Sequence, residues 1–185
     1  MRAFIAIDLD EALKKSLADF VEELRPLARN VRWVGRPGMH LTLKFLGEMA
    51  EADVCGISSA LEEIGRRQRP FPLVLQGTGA FPPGRRIPRV FWVGVAPVPA
   101  LISLQEEIEN EMGKRDFERE NRPYHPHLTL GRVKSPEPLD PLILEWQRHK
   151  ERLFGEMNVQ RFILFRSVLR PSGAEYTILK EMDFG

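Results

Sequence analysis

Two of the chain's four histidines head the same tetrapeptide, His-Leu-Thr-Leu, which runs from His40 to Leu43 and recurs 87 positions later from His127 to Leu130. Successive side chains on a strand point to opposite faces. In the first copy His40, Thr42 and Lys44 therefore share one face, with Leu41, Leu43 and Phe45 on the other. In the second, His125, His127 and Thr129 face away from Leu128 and Leu130. The leucines account for burial, and the polar face needs another reason. An imidazole beside a hydroxyl suits one phosphate. The ring moves protons near neutral pH, its ordinary pKa being about 6.5, and the hydroxyl donates to a non-bridging oxygen. Two such pairs facing each other put a base on one side of phosphorus and an acid on the other, as in-line displacement needs. That chemistry requires no metal in principle.

A single His-x-Thr on an alternating strand arises by chance and more often marks a surface or hydrogen-bonded core histidine than a catalyst. The identical tetrapeptide in each half shifts the balance toward a joint site. With His125 there are three imidazoles for zinc, but no neighbouring carboxylate or thiol completes a recognisable ligand set. The expectation is no metal and no cofactor. Lys44 and Arg132 lie beside the motifs as candidate substrate contacts, although Arg132 falls on the leucine face unless Gly131 introduces a bulge. Arg85, Arg86 and Arg89 cluster in the loop PPGRRIPR, where they either meet further phosphates or are simply solvated. His149, between Arg148 and Lys150 in a predicted helix, is expected to face solvent.

These residues have to be held by alternating strands and helices. Phe4 to Ile7 reads as a buried strand. Apolar residues at helical spacing predict helices over Glu11–Ala28 (Leu13, Leu17, Phe20, Val21, Leu24, Leu27), Glu51–Arg67 (Val54, Ile57, Leu61, Ile64) and Pro99–Met112, with a fourth near Leu139–Leu153. Strands are expected around Val31–Val34, over both motifs, in PFPLVLQGTGAF, in VFWVGV, and in the closing segments NVQRFILFRSVL and AEYTILKE. The order is β-α-β-β-α-β-β-α-β-α-β-β. Short turns between consecutive strands argue for an α+β fold with largely antiparallel sheets flanked by helices. One copy of the tetrapeptide in each half points to a single domain, residues 1–185, of two related lobes, the first half ending near Gly77 to Gly84.

Composition bounds the alternatives. Twenty-seven basic residues against 26 acidic ones leave a net charge of +1, so any grip on phosphate is local rather than a global positive field. Charged residues make up 29% of the chain, and no stretch approaches the roughly 18 apolar residues of a membrane span. The opening MRAFIAIDLDEALKK lacks the apolar core and cleavage site of a signal peptide. Cys55 is the only cysteine, which excludes an intrachain disulfide and fits a reducing compartment. Its surroundings predict a buried thiol. The expectation is a cytoplasmic monomer without membrane partners.

The chain resembles the RNA 2′,3′-cyclic phosphodiesterase family, also called 2′-5′ RNA ligases, within the two-histidine phosphoesterase superfamily. MRAFIAIDL is similar to its opening strand, VRWVGRPGMHLTLKFLGE to its first motif region, and RVFWVGV to the strand leading into the second half. YHPHLTLGRVK is similar to the second motif and LFRSVLRPSGAEYTIL to the closing hairpin. The resemblance implies His40 as proton donor, His127 as proton acceptor, and Thr42 and Thr129 as phosphate ligands. It also implies a two-lobed α+β enzyme with its active-site cleft between antiparallel sheets, free of metal and nucleotide cofactor, acting on RNA with a 2′,3′-cyclic phosphate end or related small nucleotides. The chain departs at His125, since many relatives carry Arg before the Pro-His of the second motif; a protonated His125 is the candidate substrate contact in its place. ATP-independent 2′-5′ ligation by the reverse reaction is the alternative activity. No P-loop pattern is present to support an ATP-driven one. A binding module for RNA ends without turnover is the non-enzymatic alternative.

Overall fold

Residues 4 to 7 bury side chains on both faces, Ile5 and Ile7 into one apolar cluster and Phe4 and Ala6 into another, so the first strand takes an interior place in its sheet. The computed structural model describes residues 1–135, 137–171 and 173–185, leaving Ser172 of the closing hairpin outside. Strand β1 (Arg2–Asp8) lies antiparallel between β3 (His40–Glu48) and β8 (Arg161–Arg170), and β9 (Gly173–Asp183) completes a sheet ordered β3-β1-β8-β9. The second sheet contains β2 (Val31–Trp33), β4 (Phe71–Phe81), β5 (Val90–Val95), β6 (His127–Val133) and β7 (Leu153–Val159). It is antiparallel throughout in the order β2-β6-β5-β4-β7.

Helix α1 (Glu11–Leu24) begins where the Asp10 carboxylate accepts from the Leu13 amide at 2.8 Å, and it gives way to a 3-10 turn containing Pro26. Helices α2 (Val54–Arg67), α3 (Pro99–Gly113) and α4 (Asp140–Arg148) follow. Leu17 and Phe20 of α1, Leu61 of α2, Leu104 and Ile108 of α3 and Leu142 of α4 are buried in one large core, together with Leu41, Leu128 and Leu130 of the motif strands. The fold is thus the expected α+β arrangement of two antiparallel sheets with helices. No helix among the described residues is long and apolar enough to cross a membrane.

Four local readings are corrected. The segment read as one long strand from Asn158 is two, because Gln160 separates β7 from β8, and α4 stops at Arg148 so that Leu153 already belongs to β7. Gly155, at φ 138, breaks the alternation that would have marked β7. The glycines from Gly77 onward do not divide the chain into halves. Gly77 and Gly79 lie inside β4, where the register slips. The halves also exchange strands: β2 joins the second sheet, while β8 and β9 return to the first. Cys55 is exposed, since the inward stripe of α2 runs through Ile57, Leu61 and Ile64 and leaves it outside.

Candidate active site

The two motif strands belong to different sheets and lie against each other, and the Arg132 charge of β6 acts on Tyr176, whose ring packs on His40 of β3. Each carries a β-bulge at the same point. Opposite β1, Thr42 pairs with Ala6 and Lys44 with Ile5, leaving Leu43 as the extra residue. Opposite β5, Thr129 pairs with Trp92 and Gly131 with Phe91, leaving Leu130 extra. The bulge reverses the alternation beyond each threonine. In β3 it turns Lys44 inward and Phe45 out to the cleft. In β6 it turns Gly131 inward and Arg132 out.

Two expectations change accordingly. Lys44 is not a substrate contact: its ammonium is buried behind the strand, 2.6 Å from a Glu109 carboxylate oxygen of α3 and 2.7 Å from the Glu118 carbonyl. Phe45, expected among the leucines, is 67% exposed. Arg132 reaches the histidine face because of a bulge at Leu130, one residue before the glycine that the sequence pointed to. Gly131 itself fits because a side chain there would meet Val31 at 2.9 Å and Trp33 at 3.0 Å.

The surroundings of the two histidines differ. His40 lies against Phe4 at 4.8 Å between ring centroids, Phe165 at 5.8 Å and the edge of Tyr176 at 5.1 Å. Burial under these rings pushes its pKa down to about 4, against a smaller upward pull from Asp8, which pairs with His40 across β1. His127 sits edge-on to Phe81 and Trp92, at 5.2 and 6.0 Å. Its Nδ1 is 2.7 Å from the His125 carbonyl. A carbonyl only accepts, so Nδ1 carries the proton and Nε2 keeps its lone pair. Burial also lowers the His127 pKa, partly offset by that hydrogen bond, and the positive charge of Arg132 pushes the same way as burial.

His125 is exposed beside Phe81 and Trp92, and a recess of about 270 Å³ opens next to it between Trp92, Gly94, Thr78 and Lys150. Among the described residues no three His, Cys, Asp or Glu side chains converge as a metal site. His149 belongs to another group of side chains. It packs on the edge of Phe20 at 5.0 Å and meets Glu145 at 3.1 Å, so it is not the solvent-facing side chain expected.

One further link joins the motifs. The Tyr124 hydroxyl donates to the Thr42 carbonyl at 2.9 Å, and Tyr124 immediately precedes His125, whose carbonyl holds His127. Burial raises the pKa of this phenol, so it remains a donor at working pH. Phe4, Phe45, Phe165, Tyr176, Phe81 and Trp92 are the cleft residues that sequence reasoning did not single out. Only strand register could have found them, and register depends on the bulges.

The model of the 2′-5′ RNA ligase superfamily matches residues 13–169. The chain belongs to this superfamily. It is 38% identical over 191 residues to the RNA 2′,3′-cyclic phosphodiesterase of Thermotoga maritima, covering 100% of this chain and 96% of that protein. A crystal structure from Thermus thermophilus superposes with a TM-score of 0.85 at 31% identity, covering 100% of this chain and 98% of the other. E. coli LigT complexed with 3′-AMP gives a TM-score of 0.80 at 28% identity, over 99% of this member of the superfamily and 97% of LigT.

Proposed function

We propose that this superfamily member hydrolyses RNA 2′,3′-cyclic phosphate ends to 2′-phosphates, with His127 as base and His40 as acid and no metal in the step. What supports the reading is the pair of bulged His-x-Thr strands, from separate sheets that contact each other, whose two imidazoles stand in dissimilar surroundings. The activity in the name of the Thermotoga maritima relative supports it.

His127 Nε2, left with its lone pair by the bond from Nδ1 to the His125 carbonyl, takes a proton from water as the water oxygen attacks phosphorus. The P–O3′ bond breaks, His40 gives its proton to O3′, and the phosphate remains on O2′. Thr42, Thr129 and Arg132 bind the non-bridging oxygens and the charge that develops on them. The aromatic wall keeps water from His40, which makes its protonated form a strong acid. An anionic phosphate bound beside it favours charging. The exposed face of Phe45 is a stacking surface for a base.

The test is incubation of an oligoribonucleotide ending in a 2′,3′-cyclic phosphate with the protein in excess EDTA, with the product end identified by phosphorus NMR. The expected product is a 2′-phosphate. A 3′-phosphate, or activity abolished by EDTA, contradicts the mechanism. Tight binding with no product contradicts the assignment as an enzyme.

A further inference from the structure

The row of cleft-facing residues that crosses the second sheet at Arg132 contains a charge pattern that folding alone does not favour. Arg32 of β2 stands directly opposite Arg132 of β6 in the antiparallel ladder, and directly opposed residues point to the same face. Like charges so placed repel. On the other side of Arg132 the ladder continues through Val90 of β5 to Phe81 of β4. The loop between those last two residues carries Arg85, Arg86 and Arg89, all exposed.

That loop is anchored rather than free. Ile87 packs on the core, Pro88 is buried, and the Arg89 amide donates to the Phe81 carbonyl at 2.7 Å. Its root is in the site, since the Phe81 ring lies 5.2 Å from the His127 ring. Among the described residues none of Arg32, Arg85, Arg86, Arg89 and Arg132 is in an ion pair. Eleven of the other fifteen arginines are, so pairing with a nearby carboxylate is the norm on this surface. Holding several unneutralised cations on one rim is costly unless an anion joins them.

We propose that this arginine rim, leading away from Arg132 at the reacting phosphate, is a binding tract for the phosphodiester backbone of single-stranded RNA and takes the nucleotides upstream of the cyclic end. The proposal deepens the reading of the cleft given above and rests on it for the position of the reacting end. A backbone tract with no base-reading groups binds without sequence preference, and its affinity depends on salt.

Equilibrium binding tests it without relying on turnover. A 5′-fluorescein octaribonucleotide ending in a 2′-phosphate, the expected product, is titrated by anisotropy from 50 to 300 mM KCl, alongside the dinucleotide with the same end. For the wild-type protein the octamer should bind at least 10-fold more tightly than the dinucleotide at 50 mM. The octamer's log-log salt slope should be steeper than the dinucleotide's. In Arg85→Gln/Arg86→Gln the slope for the octamer should fall by about 1.4, at roughly 0.7 per phosphate contact of a single strand. The octamer's advantage should shrink at least 3-fold, with circular dichroism unchanged. Equal affinity for octamer and dinucleotide, or an unchanged slope in the double variant, overturns the proposal. Lost turnover of cyclic ends with this binding pattern intact would instead contradict only the catalytic reading.

Discussion

The row crossing the first sheet beyond the threonine of its motif is apolar from edge to edge: Phe45, Phe4, Phe165 and Ile178 stand opposite one another in register. The equivalent row in the second sheet runs Arg32, Arg132, Val90 and Phe81. The same tetrapeptide and the same bulge precede both rows. What differs is the residue that each bulge turns outward, Phe45 in one sheet and Arg132 in the other. On the proposed reading, the repeated motif builds one phosphate site while its flanks divide the rest of the substrate, base toward the aromatic side and charge toward the basic side. Imidazole chemistry follows the same division. Both rings are half-buried against aromatics, but His40 is packed on three of them, whereas His127 is fixed by a backbone carbonyl beside an arginine.

The largest expected effects come from removing either ring. His40→Ala and His127→Ala should each lower kcat by about 10² to 10⁴, the usual worth of a positioned proton transfer. Thr42→Ala and Thr129→Ala should cost less, measured on the same cyclic-ended oligonucleotide. Next in size is the inward face of the first bulge. Lys44→Met leaves Glu109 in a poorly hydrated position without its partner and should destabilise the fold by about 3 kcal/mol in urea denaturation. Lys134→Met, at an exposed position, should change little.

The two sides should also separate by pH. Burial holds both histidines below 6.5 in the free protein, so the bell-shaped profile of kcat/KM should centre below pH 6.5, and its alkaline limb should move upward in kcat as bound phosphate charges His40. The same depression sets a stability term. The unfolded His40 binds a proton through the window from about 6.5 down to about 4 that the folded ring resists. Stability is therefore full above pH 6.5 and is lost as pH falls through that window, by up to about 3 kcal/mol. Comparing urea midpoints of wild type and His40→Phe at pH 7.5 and 4.5 isolates it. Smallest is the aromatic contact itself: Phe45→Ala should cost about 1–3 kcal/mol in binding, read mainly in KM, if a base stacks there.

Much of this was legible in the chain. Helical spacing located the four helices, and alternation placed His40 beside Thr42 and His127 beside Thr129, because those pairs precede the bulges. What lies past the bulges depends on slips that alternation does not show. Lys44 and Phe45 exchanged faces, and Arg132 came into the cleft through a slip at Leu130 that no residue type announces. Cross-sheet neighbours such as Tyr176 and Phe165 come from strands more than 100 positions after His40, where periodicity gives a face but not a partner. Tyr124 hides in a charged segment whose backbone forms neither strand nor helix.

The division of labour between the histidines is tested most directly by changing the leaving atom. A substrate with sulfur at the 3′ bridging position of the cyclic ester expels a thiolate, which needs no proton, while water must still be deprotonated. His40→Ala should then recover most of its lost kcat relative to wild type on the sulfur substrate, and His127→Ala should remain impaired by about 10² or more. Recovery by His127→Ala instead, or equal impairment of both variants on sulfur and oxygen, would contradict the assignment of acid to the aromatic side and base to the carbonyl-held ring.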